Sequence, residues 1–255
     1  MFSWTQPQYR PIIVAHRGAS AVAPENTLTA FKRAVDDGAD AIELDIRLTS
    51  DGEVIVFHDA QLRRTTNGKG KVEQLTLADL KRLSAGAWFD KSFFSETIPT
   101  LDEVLELLPR RIGVNIEIKT DLQSRRHSDI VQRCCSVIQK HRAESYVLIS
   151  SFHHAFIKDV KQWLPSVATG LLFHPLKHVG RSAVAMTTHA RANYMIFGGG
   201  TLRKAVVNKA HQHGLCVGEF TVNTPRQFTR ALWYGLDAVI TDDPASLVVL
   251  RSQLK

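Results

Sequence analysis

Residues 41–59 read AIELDIRLTSDGEVIVFHD, and the fold follows from how this stretch alternates. Ile42, Leu44, Ile46 and Leu48 fall on one face of a strand, and Glu43, Asp45 and Arg47 on the other. Charge therefore sits inside an otherwise apolar element. Asp51-Gly52 follows, a dipeptide favoured in tight hairpins because the turn needs positive φ. A loop made of Asp51 and Gly52 alone would pair Ser50 with Glu53 and, further along, Asp45 with His58. Directly opposed residues of an antiparallel pair share a face, so Glu43, Asp45 and His58 are expected to stand together.

An acidic strand face has an ordinary reading, the solvated edge of an antiparallel sheet. Residues 112–119 favour another, because they repeat the arrangement: Ile112, Val114, Ile116 and Ile118 on one face, Asn115, Glu117 and Lys119 on the other. Strands with one wholly apolar face and one charged face fit a barrel whose outside packs under helices. The charges then gather at an inner rim, where Glu43, Asp45 and Glu117 could converge on a hard divalent cation, which prefers oxygen ligands. An ion-pair network of these carboxylates with Arg17, Arg47 and Lys119, without metal, is the competing reading.

The rest of the chain fits a barrel. Residues 11–16 form a short apolar strand ending in His16-Arg17-Gly18, followed by an amphipathic helix with Leu28, Phe31 and Val35 on its buried stripe and Gly38 as its stop. From 61 to 98 the pattern breaks down into turns, a short helix near 77–83 and an aromatic patch of Trp88, Phe89, Phe93 and Phe94. This segment, with the hairpin, reads as an insertion (about 46–98) over the barrel mouth. Thr100 and Glu103 then form a capping box ahead of a helix. Strands and helices alternate to the end, which implies parallel strands with crossover helices. Strand starts near 12, 41, 112, 146, 167, 193, 215 and 237 make a single (β/α)8 TIM barrel the expected fold, with residues 1–255 as one catalytic domain. The site belongs at the C-terminal strand ends, where His16, Glu43, Asp45, Glu117 and Lys119 fall.

Composition adds bounds. The length of 255 residues suits one such barrel. A net charge of +7 favours anionic partners. Arg110-Arg111 and Arg125-Arg126 are only pairs, with no dense basic cluster or binding motif for nucleic acid. Cys134, Cys135 and Cys216 form neither a disulfide framework nor a zinc pattern, which points to reducing cytoplasm. The first residues lack the pattern of a secretory signal, and no apolar run approaches the ~20 residues that span a bilayer. No stable membrane association is expected, and a monomer or homodimer is.

At this point the sequence resembles a family. His16-Arg17-Gly18, Pro24-Glu25-Asn26-Thr27, Glu43-Leu44-Asp45, His58-Asp59, Ile98-Pro99-Thr100-Leu101, Glu117-Ile118-Lys119 and Thr241-Asp242 occur in the order seen in glycerophosphodiester phosphodiesterases. The similarity runs from about residue 12 to 244. It implies a TIM-barrel hydrolase that converts glycerophosphodiesters to glycerol 3-phosphate and an alcohol with one divalent cation, Mg2+ or Ca2+. Glu43, Asp45 and Glu117 match the family's metal ligands, and His16 and His58 its acid/base pair. Arg17 and Lys119 match its phosphate contacts. Phe220 stands where the family usually has Trp, keeping an apolar wall but losing the indole donor.

These residue types suit the chemistry. Histidine titrates near neutrality and serves both proton transfers, while a cation, Arg17 and Lys119 neutralise phosphoryl charge. Two alternatives stand beside this reading: a phospholipase D-like enzyme acting on lysophospholipids, and a barrel that binds phosphoesters without cleaving them. The first would need an apolar acyl channel, which the insertion aromatics leave open, while at least half of them are expected to pack inside the insertion. Asp59, of opposite strand parity to His58, reads as a turn or supporting residue. His153, His154 and His174 read as capping or exposed, and the run Gly198-Gly199-Gly200 has no assigned role.

Overall fold

The computed structural model of the protein describes residues 2–119, 127–174, 182–200 and 202–253, so Arg125-Arg126 lies outside the described residues. Its strands are β1 (Ile12–His16), β2 (Ala41–Leu48), β3 (Val54–Val56), β4 (Gly113–Ile118), β5 (Val147–Ser151), β6 (Ala168–Phe173), β7 (Tyr194–Gly198), β8 (Cys216–Phe220) and β9 (Ala238–Thr241). Apart from β3, they are parallel and hydrogen-bonded in the order β1-β9-β8-β7-β6-β5-β4-β2, and a β1–β2 pairing closes the ring. This is the expected (β/α)8 TIM barrel, with every strand of the ring starting within a residue of its expected place.

The helices are α1 (Leu28–Asp36), α2 (Leu77–Leu80), α3 (Leu101–Leu107), α4 (His127–Lys140), α5 (His154–Trp163), α6 (Ala183–His189), α7 (Lys204–Gln212), α8 (Pro225–Tyr234) and α9 (Pro244–Gln253). Local signals explain their ends. Thr27 caps α1, and the Thr100–Glu103 capping box that opens α3 is present. Helix α8 opens with a Thr224–Gln227 capping box and Pro225 in its first turn, and Gly235 ends it at φ 76°.

The two faces of each strand divide the core. Ile42, Leu44 and Ile46 point outward and pack with Phe31, Leu101, Val104 and Phe228 from the helices. The opposite parity fills the barrel: Ile12, Val14, Leu148, Leu172, Ile196 and Ile240 are buried there together. The N-terminal segment closes the bottom. Trp4 Nε1 donates to the Tyr146 carbonyl (2.9 Å), and the Tyr194 hydroxyl donates to the Trp4 carbonyl (2.6 Å). A filled interior and a closed bottom leave the C-terminal mouth as the open end.

The hairpin register differs from expectation by one residue. Ile46 pairs with Val56, Arg47 with Ile55 and Leu48 with Val54. The loop has three residues, 50–52: Thr49 N donates to the Glu53 carbonyl (3.0 Å), and Gly52 N to that of Thr49 (3.2 Å). The expected loop required positive φ at Asp51 as well, but only Gly52 adopts it, at 88°. Asp51 instead accepts from Thr49 Oγ1 (2.5 Å) and from Leu77 N (3.1 Å), tying the hairpin to α2. Asp45 consequently faces Phe57, whose N donates to its carbonyl (2.8 Å), and not His58.

The insertion has its own small core. Ile55, Phe57, Leu62, Val72, Leu80, Ala85 and Ile98 form a buried cluster. Trp88, Phe89 and Phe93 meet edge to face, while Phe94 is 64 % exposed. The segment is therefore a packed buttress of short 3-10 turns (Leu62–Arg64, Val72–Gln74, Lys91–Phe93) and the four-residue α2, each too short to show a periodic pattern. Among the described residues, no helix is long and apolar enough to cross a membrane.

Candidate active site

Strand register assembles the mouth. His16 of β1 lies beside Glu43 of β2, and Glu43 beside Asn115 of β4. One layer higher, Asp45 lies beside Glu117, and Glu117 beside Ser150 of β5. All share the inward parity of the barrel. Glu43, Asp45 and Glu117 each offer a carboxylate oxygen within 4.8 Å of the others.

Two cations and one amide lie against these carboxylates. Lys119 Nζ is 3.1 Å from Asp45 Oδ1 and 2.5 Å from Glu117 Oε1. Arg17 Nε is 3.2 Å from Asp45 Oδ2, and its backbone N donates to Glu43 Oε2 (3.0 Å). Asn26 Nδ2 donates to Asp45 Oδ2 (2.9 Å). Arg17 reaches this position through a left-handed turn, with φ 58° at Arg17 and 85° at Gly18. A Cβ at residue 18 would stand 2.6 Å from the Ala30 backbone, so glycine is required there.

The charges do not balance evenly. Burial first, then the neighbouring Asp45, push the Glu43 carboxyl up to about 8, against the pull of His16. Burial likewise raises Glu117, although Lys119 opposes it. Burial also works against an ionised Asp45, but Lys119, Arg17, His58 and the Asn26 hydrogen bond outweigh it and hold it well below the usual carboxylate range. Asp45 Oδ1 and Glu117 Oε1 are buried and make no well-directed hydrogen bond, with the Lys119 ammonium 3.1 and 2.5 Å away. Arg47 Nε donates to the His58 carbonyl (2.8 Å). The ion-pair network thus holds Asp45 ionised, although its Oδ1 lacks a directed hydrogen bond, and leaves Glu43 and Glu117 short of positive charge. An all-oxygen donor set with that deficit fits a hard divalent cation.

Each histidine places its Nδ1 on a carboxylate. His16 Nδ1 lies 2.6 Å from Asp242 Oδ1, and Asp242 also accepts from Ser20 Oγ (3.2 Å) and Asn223 Nδ2 (2.6 Å). His58 Nδ1 lies 2.6 Å from Asp59 Oδ1, and Asp59 also accepts from Arg64 Nε (2.6 Å) and Nη2 (3.0 Å). Such a bond leaves Nε2 free for chemistry. Both rings line a cavity of about 120 Å³ with Arg17, Glu43, Glu117 and Lys119, while Phe152, Leu172, Phe220 and Ile240 form its apolar side. The loop after β3 therefore brings His58 to Glu43 and Glu117 without the expected cross-strand pairing.

Phe220 lines the cavity in edge-to-face contact with Phe152 (6.2 Å between centroids). The glycine run gains a structural role: a Cβ at residue 198 would stand 2.9 Å from the Phe220 ring, and Gly199 N donates to the Phe220 carbonyl (3.0 Å). Trp88, Phe89, Phe93 and Phe94 are not among the cavity's lining residues, nor are His153, His154 and His174. Sequence reasoning assigned no role to Glu25, Asn26, Arg64, Asn115 or Asp242. Asp242 carried a signal, since it directly follows a barrel strand.

A sequence model of the glycerophosphoryl diester phosphodiesterase family matches residues 16–246. The chain is 37 % identical over 243 residues to a glycerophosphodiester phosphodiesterase of Caldanaerobacter subterraneus, covering 94 % of this chain and 98 % of that one. It is 36 % identical over 245 residues to another of Bacillus altitudinis, covering 95 % and 99 %. Its fold superposes on an Oleispira antarctica phosphodiesterase in complex with the product sn-glycerol-3-phosphate, with a TM-score of 0.87, 30 % identity and coverage of 94 % and 96 %.

Proposed function

The chain belongs to the glycerophosphoryl diester phosphodiesterase family and is a glycerophosphodiester phosphodiesterase; from that premise we propose that it hydrolyses glycerophosphodiesters to glycerol 3-phosphate and an alcohol, with a divalent cation and two histidines. The observation that carries this reading is a cluster of three buried carboxylates, two of which, Glu43 and Glu117, line one small cavity together with two aspartate-backed histidines. Glu43, Asp45 and Glu117 would hold the cation, Mg2+ or Ca2+. When bound, it supplies charge neutralisation and polarisation at the phosphoryl oxygens.

The chain's own groups do the rest. Arg17 and Lys119 face the cavity and neutralise phosphoryl charge as it develops. His58 accepts the proton of the attacking hydroxyl, and His16 donates a proton to the departing alkoxide. This division follows from what stands behind each ring. Asp242 is held by uncharged donors, so its full negative charge supports a protonated His16; the charge of Asp59 is already met by Arg64, which favours a neutral His58. The directions agree. Burial opposes the charged form of His16, but Asp242 and Glu43 outweigh it and the net shift is up. Burial, aided by Lys119 and Arg17, takes His58 down against Asp45 and Asp59. Groups pushed apart in this way suit acid and base roles.

Phe220 and Phe152 give the glycerol an apolar wall. A lysophospholipid would need an acyl channel, and the insertion aromatics are not among this cavity's lining residues. The free thiols Cys134, Cys135 and Cys216 support work in reducing cytoplasm. The test is glycerol 3-phosphate release from glycerophosphocholine and glycerophosphoethanolamine with Mg2+, Ca2+ or EDTA, for wild type and His16→Ala. Metal-dependent release that vanishes in the variant is expected; release indifferent to EDTA contradicts the metal assignment. A cyclic phosphate trapped in turnover would identify the substrate's own glycerol hydroxyl, and not water, as the first nucleophile.

A further inference from the structure

Arg64 is not among the cavity's lining residues. It ends the 3-10 turn Leu62–Arg64 of the insertion, yet its guanidinium grips two carboxylates at once. Nη1 and Nη2 donate to Glu25 Oε2 and Oε1, each at 2.8 Å. Nε and Nη2 donate to Asp59 Oδ2 and Oδ1, at 2.6 and 3.0 Å. Each carboxylate in turn holds a cavity residue. Glu25 Oε1 accepts from Arg17 Nη1 (2.8 Å), and Asp59 Oδ1 takes His58 Nδ1 (2.6 Å).

We propose that Arg64 is a positioning residue of the diesterase site: one guanidinium that fixes Arg17 and His58 relative to each other and joins the insertion to the barrel mouth. The inference rests on the function given above. An isolated surface ion pair would not carry it, since such pairs contribute little. Here one planar fork is shared bidentately between two acids, an arrangement that sets geometry as well as charge. The backbone beneath it is fixed. Leu62 is fully buried in the insertion core, its N donates to the Gly70 carbonyl (3.0 Å), and Thr66 Oγ1 donates to its carbonyl (2.7 Å).

Removal has two consequences. Asp59 is freed to turn away from His58 Nδ1, so the ring loses its fixed tautomer. Glu25, left with Arg17 as its cation, draws that guanidinium away from the phosphate. The insertion is thus part of the catalytic apparatus and not a dispensable cover.

The test is steady-state kinetics on glycerophosphocholine with saturating divalent metal for wild type, Arg64→Ala, Arg64→Lys, Asp59→Asn and the Asp59→Asn/Arg64→Ala double variant. It is paired with thermal melts and 15N correlation of the His58 imidazole. Arg64→Ala is expected to keep a wild-type melt and to lose about 10- to 100-fold in kcat, the scale of a small misplacement of reacting groups. Arg64→Lys, which keeps the charge but not the fork, should recover only part of it. In the Asp59→Asn background the further loss from Arg64→Ala should shrink, and the His58 spectrum of Arg64→Ala should no longer show a single Nδ1–H tautomer. Activity of Arg64→Ala or Arg64→Lys within about twofold of wild type, inside the range of an ordinary surface pair, overturns the proposal. Undiminished loss in the double variant or an unchanged His58 spectrum overturns it as well. Should Arg64→Ala not fold, Arg64→Lys and Arg64→Gln carry the same comparison. Failure of wild type to release glycerol 3-phosphate counts against the function itself, and the imidazole spectrum still judges Arg64.

Discussion

His16 and His58 are alike at first contact and unlike one residue further back. Each places Nδ1 at 2.6 Å from an aspartate oxygen. Behind Asp242 stand a hydroxyl and an amide; behind Asp59 stands a guanidinium. Burial disfavours the charged form of both rings, yet His16 ends above its ordinary value and His58 below it. A histidine–aspartate pair therefore has no fixed meaning. What holds the aspartate decides whether its charge reaches the ring, and on the proposed mechanism one small cavity thereby holds a proton donor and a proton acceptor.

Deleting either ring should break the comparison most severely. His16→Ala and His58→Ala are each expected to reduce kcat on glycerophosphocholine by on the order of 10²- to 10⁴-fold, the usual worth of general acid–base catalysis. Loss of under about tenfold in either would remove that ring from the chemistry.

The supporting aspartates sharpen the contrast through pH profiles of kcat/KM. Asp242 holds His16 up among Glu43 and Arg17, so Asp242→Asn lowers the pKa of the acid and moves the alkaline limb to lower pH. A charge-assisted hydrogen bond of about 1.5–3 kcal/mol corresponds to about one to two pH units. Asp59 also raises His58, which faces Asp45, Lys119 and Arg17, so Asp59→Asn moves the acid limb to lower pH as well. That shift should be the smaller of the two, because Arg64 already neutralises Asp59. Equal shifts, or a larger one for Asp59→Asn, would contradict the division.

The mildest perturbation leaves both histidines alone. Gly198→Ala should press its Cβ on the Phe220 ring, 2.9 Å away. Overpacking of this kind costs about 1–3 kcal/mol. A raised KM for the diester with nearly unchanged kcat is expected, measured under the same metal conditions. A fall in kcat alone would mean that Phe220 does not face the bound substrate.

Legibility in the sequence followed the range of each interaction. The barrel was readable because inward and outward residues alternate along Ala41–Leu48 and Gly113–Ile118, and because strand starts recur between helices. His16, Glu43, Asp45 and Glu117 could be placed at strand ends for the same reason. The hairpin was misread by one residue, since the loop length turned on the φ of Asp51, which composition does not specify. His58 still reached the cavity through the loop after β3, by a route that strand parity could not foresee. Asp242 stood in the recognised Thr241-Asp242 pair, but its role and that of Arg64 stayed unread because His16 and Glu25 lie 226 and 39 residues away from them. No local pattern encodes such pairs. Glu25 and Asn26 stood in a recognisable stretch, but what each one touches emerges only when the turn around Gly18 folds onto β2.

The division of labour has one direct test, a change of leaving group. His16→Ala and His58→Ala would be assayed on glycerophosphocholine and on a glycerol phosphodiester of p-nitrophenol, whose leaving phenolate needs no proton. Activity of His16→Ala should return toward wild type on the nitrophenyl ester, while His58→Ala stays impaired on both. Recovery of His58→Ala with continued failure of His16→Ala would reverse the assignment and contradict the account.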